Sequence, residues 1–120
     1  MKDSNPILDQ RAALDRFDGD RELFMSLAGM FLERAEKTLS IVHAAVATKD
    51  FQRVVKEAHK LKGSALEFCA NAAVNAISRV EAAARHPVAE DVSALADQMG
   101  EEIRKLIVAL REIRAKGFPS

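Results

Sequence analysis

The chain has 120 residues, 48% of them hydrophobic and 30% charged, which suffices for one buried core under a soluble surface but not for two independent cores. Eighteen basic and eighteen acidic side chains cancel, so net charge gives no grip on nucleic acid or an anionic membrane, and a protein partner is expected. One cysteine, Cys69, rules out an internal disulfide. The charged start MKDSNPILDQ and the lack of a long apolar run lead us to expect no signal peptide, no direct membrane insertion and a cytoplasmic location.

Only five glycines and three prolines punctuate the chain, and no run alternates with period two, so an all-α fold is expected. A short helix is expected over about residues 7–16. Asp18-Gly19-Asp20 then provides a turn and an N-cap for a long helix over about 20–47. Phe24, Ala28, Phe31, Ala35, Thr38 and Val42 form its inward stripe, widened by Leu27 and Leu39.

Lys49 and Asp50 break that pattern, and a helix over about 50–68 follows. Asn71 is expected to cap the next, over about 71–85, which His86-Pro87 ends because a residue before proline avoids the α conformation. The last helix is expected over about 89–116, with Leu95, Met99, Ile103, Leu106, Leu110 and Ile113 facing inward and Gly117 and Pro119 stopping it. Short connections favour an antiparallel up-down-up-down four-helix bundle, the first helix lying across one end as a short N-terminal extra. The expectation is a single domain over residues 1–120 that closes its own core as a monomer.

The helix over 50–68 carries the chemistry. Val54, Ala58, Leu61, Ala65 and Phe68 follow the spacing of a buried seam. At about 100° per residue these positions average about 140° from His59, so the imidazole should face water. Gln52, Val55, Lys56, Lys62, Gly63 and Leu66 fall within roughly 60° of it, whereas Lys60 points elsewhere.

Lys56 and Lys62 flank the ring by about one turn on either side. Their charge works against a cationic ring, leaving a neutral nucleophilic imidazole, and would stabilise a phosphoryl group placed there. Gly63 costs the helix about 1 kcal/mol relative to alanine and would leave room for another protein's active site. The plain alternative is a solvated helix face with Gly63 present for close packing.

The run Ala58-His59-Lys60-Leu61-Lys62-Gly63-Ser64-Ala65 resembles the central pattern of the histidine-containing phosphotransfer (HPt) domain family. Phe17 to Phe31 resembles that family's opening helix, and Val80-Glu81 its later aliphatic-glutamate pair. Cys69 departs from it, standing where glycine is frequent, and Leu66-Glu67-Phe68 before it is bulky.

The resemblance implies a phosphorelay intermediate. His59 would accept a phosphoryl group, at Nε2, from a receiver-domain aspartate and donate it to another receiver's aspartate. Lys62 would stabilise its charge, Lys56 would add a secondary charge, and Gly63 would give access. Gln52, Val55 and Leu66, with Met25 or Met30, would form the docking patch.

Partners would be response-regulator receiver domains and a hybrid sensor histidine kinase. Mg2+ would sit on the receiver, so no cofactor or metal is expected on this chain. Without a glycine-rich nucleotide loop, no ATP-dependent kinase activity is expected. Met1 favours a free-standing protein.

Three rivals stay open: a pseudo-HPt module that docks without phosphotransfer, an enzyme using His59 as general base with Lys62 holding an anion, and a helix-binding adaptor. The enzyme reading lacks a third orienting residue in sequence reach. His43 and His86 read as surface or helix-end residues, and Cys69 is given no role.

Overall fold

Aspartates open four of the five helices in the computed structural model, which describes residues 6–87 and 91–118. Asp9 caps α1 (Gln10–Arg16), Asp20 caps α2 (Arg21–Ala47), Asp50 caps α3 (Phe51–Glu67) and Asp91 caps α5 (Val92–Lys116). Each side chain accepts the backbone N–H three residues on, at 3.0–3.2 Å, satisfying one of the donors that a helix start leaves unpaired.

The remaining helix, α4 (Asn71–Arg85), has Ala70 at its N-cap and no side-chain cap. Asn71, expected as the cap, is its first helical residue. The N-terminal segment takes over that task, because the Pro6 carbonyl accepts from Ala72 N–H at 2.8 Å and the Cys69 carbonyl accepts from Asp9 N–H at 3.2 Å.

Three turns share one device. The Asp18, Lys49 and Cys69 backbones lie in the left-handed region, at φ of 54°, 59° and 52°. Each follows a helix end, and the residue after it returns a hydrogen bond five residues back: Gly19 to Leu14, Asp50 to Ala45, Ala70 to Ala65, at 2.7–2.9 Å. These are Schellman ends built without glycine at the left-handed position. Cys69 thus makes the turn that glycine makes more cheaply, so the departure leaves the turn intact.

Asp50 closes the Schellman bond of α2 and caps α3 at once, so the two helices join with no slack. α2 packs on α3, α3 on α4, α4 on α5 and α5 back on α2. Short turns between consecutive helices make the ring an antiparallel up-down-up-down four-helix bundle, with α1 as the short extra helix at one end.

That end is sealed by aromatic rings. Phe24 is fully buried and meets Phe17, Phe68 and Phe118 edge-on at centroid distances of 5.8, 5.3 and 5.0 Å. Such edge-to-face contacts add about 0.5–1.5 kcal/mol per pair beyond area burial.

The expected inward faces hold with small rotations. In α2 the buried line is Phe24, Ala28, Phe31, Ala35, Leu39 and Val42, whereas Thr38 and Leu27 are half-buried at its edge. In α5 Val92 and Ala96 take the inward positions ahead of Met99, and Leu95 sits half-buried beside them. α5 begins at Val92, because the Asp91 cap fixes its start, and α1 begins at Gln10 behind Asp9. The residue expected to begin the last helix, Ala89, and its stop Pro119 lie outside the described residues, while Gly117 ends α5 at φ 81°.

Lys49 is exposed, so replacing it trades no burial. Lys49→Gly should raise stability by about 0.5–1 kcal/mol by removing the left-handed strain of a Cβ, read as a higher urea midpoint at unchanged slope. An unchanged or lower midpoint would mean the turn carries no such strain.

Candidate functional site

Helical geometry places His59 on the outer face of α3, opposite the buried Val54, Ala58, Leu61 and Ala65, and its side chain is 75% exposed. Of the stripe expected around it, Gln52, Lys56, Gly63 and Leu66 are exposed and Val55 and Lys62 half-buried. The ring is not a core histidine.

Beneath it lies a residue that the sequence marked only as half of a family-like pair. Glu81, on α4, is 3% exposed. Its Oε2 accepts from His59 Nδ1 at 3.1 Å and its Oε1 from Lys62 Nζ at 3.0 Å. One carboxylate therefore ties two α3 side chains to α4. No angular argument within α3 can find it, because the contact crosses between helices.

Lys62 consequently differs from its expected posture. Rather than standing free on the outward stripe, its side chain turns towards α4 and is only 30% exposed. A buried carboxylate without a counter-charge would be costly, and Lys62 supplies that charge. Burial is the largest influence on Glu81 and pushes its carboxyl up. The hydrogen bonds from Lys62 and His59, with the charges behind them, outweigh burial and hold it below its ordinary value of 4.5.

An ionised Glu81 has only acceptors, so the imidazole meets it as Nδ1–H. In the neutral ring this fixes the tautomer, leaving the lone pair on Nε2 at the exposed edge. Lys56 and Lys62 alone imply a ring flanked by positive charge, whereas the fold also sets the Glu81 carboxylate 3.1 Å from Nδ1.

A Cβ built on Gly63 would meet nothing within 4 Å, so the glycine is not there for packing inside this chain. Space above it on the His59 face stays open. Lys60 points away, reaching Glu57 Oε2 at 3.4 Å on the α2 side. Leu23 and Met30 on α2 and Leu66 on α3 are exposed, whereas Met25 is half-buried against the core.

The other histidines sit as expected. His43 is half-exposed 3.9 Å from Asp97, and His86 is the exposed C-cap of α4. Burial pushes the Cys69 thiol up, with Arg16 opposing and Asp9 assisting, so it is a poor source of thiolate. Among the described residues no helix is long and apolar enough to cross a membrane, and no group of three or more His, Cys, Asp and Glu side chains could hold a metal ion.

A family model described as the Hpt domain matches residues 26–113. Among solved structures, histidine-containing phosphotransfer protein B from Pseudomonas aeruginosa PAO1 is similar at 25% identity and a TM-score of 0.83, over 94% of this chain and 98% of that one. The HPT domain of a sensor hybrid histidine kinase from Shewanella is similar at 17% identity and a TM-score of 0.82, over 92% and 96% respectively. This second likeness bears on the fold alone. No curated protein sequence matches the chain.

Because the folded Glu81 carboxyl is held below 4.5, its contribution to stability is fully present above that value and is lost as pH falls through the lower folded one. Glu81→Gln should cost about 1–2 kcal/mol at neutral pH. Urea midpoints of wild type and variant should converge on acidification below the ordinary value. A gap independent of pH would show that the ionised carboxylate is not what stabilises the site.

Proposed function

Because the chain belongs to the Hpt domain family, we propose that it relays phosphate in two-component signalling through Nε2 of His59. Domains of this family are phosphotransfer carriers, and they interact with receiver domains and hybrid histidine kinases. The observation that carries the residue-level reading is the His59 ring, its side chain 75% exposed and held at Nδ1 by the buried carboxylate of Glu81.

The Nε2 lone pair attacks the phosphorus of a receiver's aspartyl phosphate, an N–P bond forms, the P–O bond to the aspartate breaks, and that carboxylate leaves with the bonding pair. Nδ1 keeps its proton, so the phosphorylated ring is cationic, and Glu81 faces that new charge. In reverse, another receiver's aspartate attacks phosphorus and the neutral ring leaves with its pair restored to Nε2.

Phosphoryl transfer asks little covalent work of a protein beyond alignment and charge stabilisation. Glu81 supplies alignment by fixing the ring. Lys62 neutralises Glu81 and adds positive charge beside the phosphoryl group, while exposed Lys56 can reach it from the preceding turn. Mg2+ is assigned to the receiver and this chain is taken to need no cofactor. Gln52, Val55 and Leu66 around the ring, with Met30, form the proposed docking patch, and the chain is taken to act as a cytoplasmic monomer without kinase activity of its own.

Incubation with a phosphorylated receiver domain tests the reading directly. Wild type should gain acid-labile, alkali-stable phosphate and His59→Gln none, while helicity stays unchanged and melting falls little, because the ring is exposed and Lys62 still pairs with Glu81. Binding without label on wild type would make the protein a docking module instead.

Gly63→Leu probes the clearance. It should raise helix stability by about 0.5–1 kcal/mol, because nothing in this chain opposes a side chain there, yet weaken receiver binding by filling the approach to His59. Tight binding by this variant would remove the access role from Gly63.

A further inference from the structure

Despite a formal net charge of zero, the cations are not evenly spread. A groove of about 590 Å3 runs between α2 and α3, one helix face round from His59. Phe31, Ala35 and Leu61 form its apolar floor, and Arg34, Lys37, Arg53 and Lys60 stand along its rim. Glu57 is the carboxylate in its lining among the described residues.

That carboxylate is already committed. Glu57 is buried, and its Oε2 lies 3.4 Å from Lys60 Nζ and 3.9 Å from Arg53 Nε. Arg34 and Lys37 are exposed on the opposite wall, on α2. Four cations line the groove against one carboxylate that two of them already hold, so the lining carries a net positive charge over an apolar floor. Its chemical complement is a segment bearing several carboxylates and an apolar residue between them.

Position selects the source of that segment. Lys60 lines the groove and follows His59 directly, so the two sites lie about 100° apart around one helix. A standard protein interface covers about 800 Å2 on each partner. One centred on His59 therefore extends over the α2–α3 groove.

We propose that this groove receives an acidic segment of the docked receiver domain and selects among receivers by charge. The proposal rests on the phosphorelay reading above. Rim charges act chiefly on encounter rate and on discrimination between partners, and their effect is screened by salt. The groove accordingly sets which receivers reach His59 quickly and leaves the chemistry at Nε2 untouched.

Arg34→Glu combined with Lys37→Glu is the decisive variant, because both side chains are exposed on α2 and away from His59, Glu81 and Lys62. Purified receiver domains of the same organism serve as probes, with phosphoramidate as a small phosphodonor that needs no docking. Phosphoramidate should label His59 equally in wild type and variant. For the receiver that wild type serves fastest, the variant should bind roughly tenfold more weakly at low salt, with a flatter salt dependence. Replacing that receiver's acidic docking residues by lysine should restore binding to the variant.

Equal affinity and equal salt dependence with labelling intact would overturn the groove's role. Labelling by phosphoramidate with loss of binding that no receiver charge swap repairs would also overturn it, assigning the groove another occupant. Failure of phosphoramidate and of every receiver to label wild-type His59 would instead bring down the phosphorelay reading and this proposal with it.

Discussion

A carboxylate sunk between two helices sets the terms for everything on the outer face of α3. Glu81 is buried, yet it stays ionised because Lys62 and His59 reach it from the neighbouring helix. A buried carboxylate fixes what surrounds it more firmly than an exposed one, because few alternative partners exist and leaving it unpaired is costly. The imidazole is therefore ordered from below while remaining open above. An exposed side chain on a helix would otherwise sample several rotamers, and a nucleophile gains from losing that freedom before its substrate arrives.

The rest of the bundle serves to hold α3 and α4 at the spacing that this contact requires. Alanines are frequent among the buried residues of both helices: Ala58 and Ala65 on α3, and Ala73, Ala76, Ala83 and Ala84 on α4. Small side chains let helix axes approach closely, and a short distance between axes brings a glutamate on one within reach of a histidine and a lysine on the other. The phenylalanine cluster around Phe24 gathers at the end of the bundle. Function and stability are thus partly separated along the axis.

Within single helices the sequence was legible. The seam of Val54, Ala58, Leu61 and Ala65 is buried, and arithmetic at the helical period correctly turned His59 outward. The four-helix bundle, its short first helix and the family followed from spacing and from the run around His59. What could not be read was anything that crossed between elements. Glu81 appeared only as a pattern match, Lys62 was given an outward posture it does not keep, and Asn71 was given a cap that Pro6 provides from far along the chain. The Schellman ends were hidden for another reason: Asp18, Lys49 and Cys69 occupy left-handed positions where glycine is the usual signal. Thr38 and Leu95 were misplaced by a fraction of a turn, the resolution limit of a periodic argument applied to a stripe wider than one residue.

The junction at Asp50 has a consequence for how such a protein can change over evolutionary time. Since one residue finishes α2 and begins α3, a single insertion or deletion there would slide one groove wall by about 1.5 Å and rotate it by about 100° relative to the other. The two walls can diverge by exchange of surface side chains but not by change of length. New partner preferences are therefore reachable in small, reversible steps on a frame whose register is locked, which is how duplicated copies of such a hairpin could be rewired apart without passing through an unfolded ancestor.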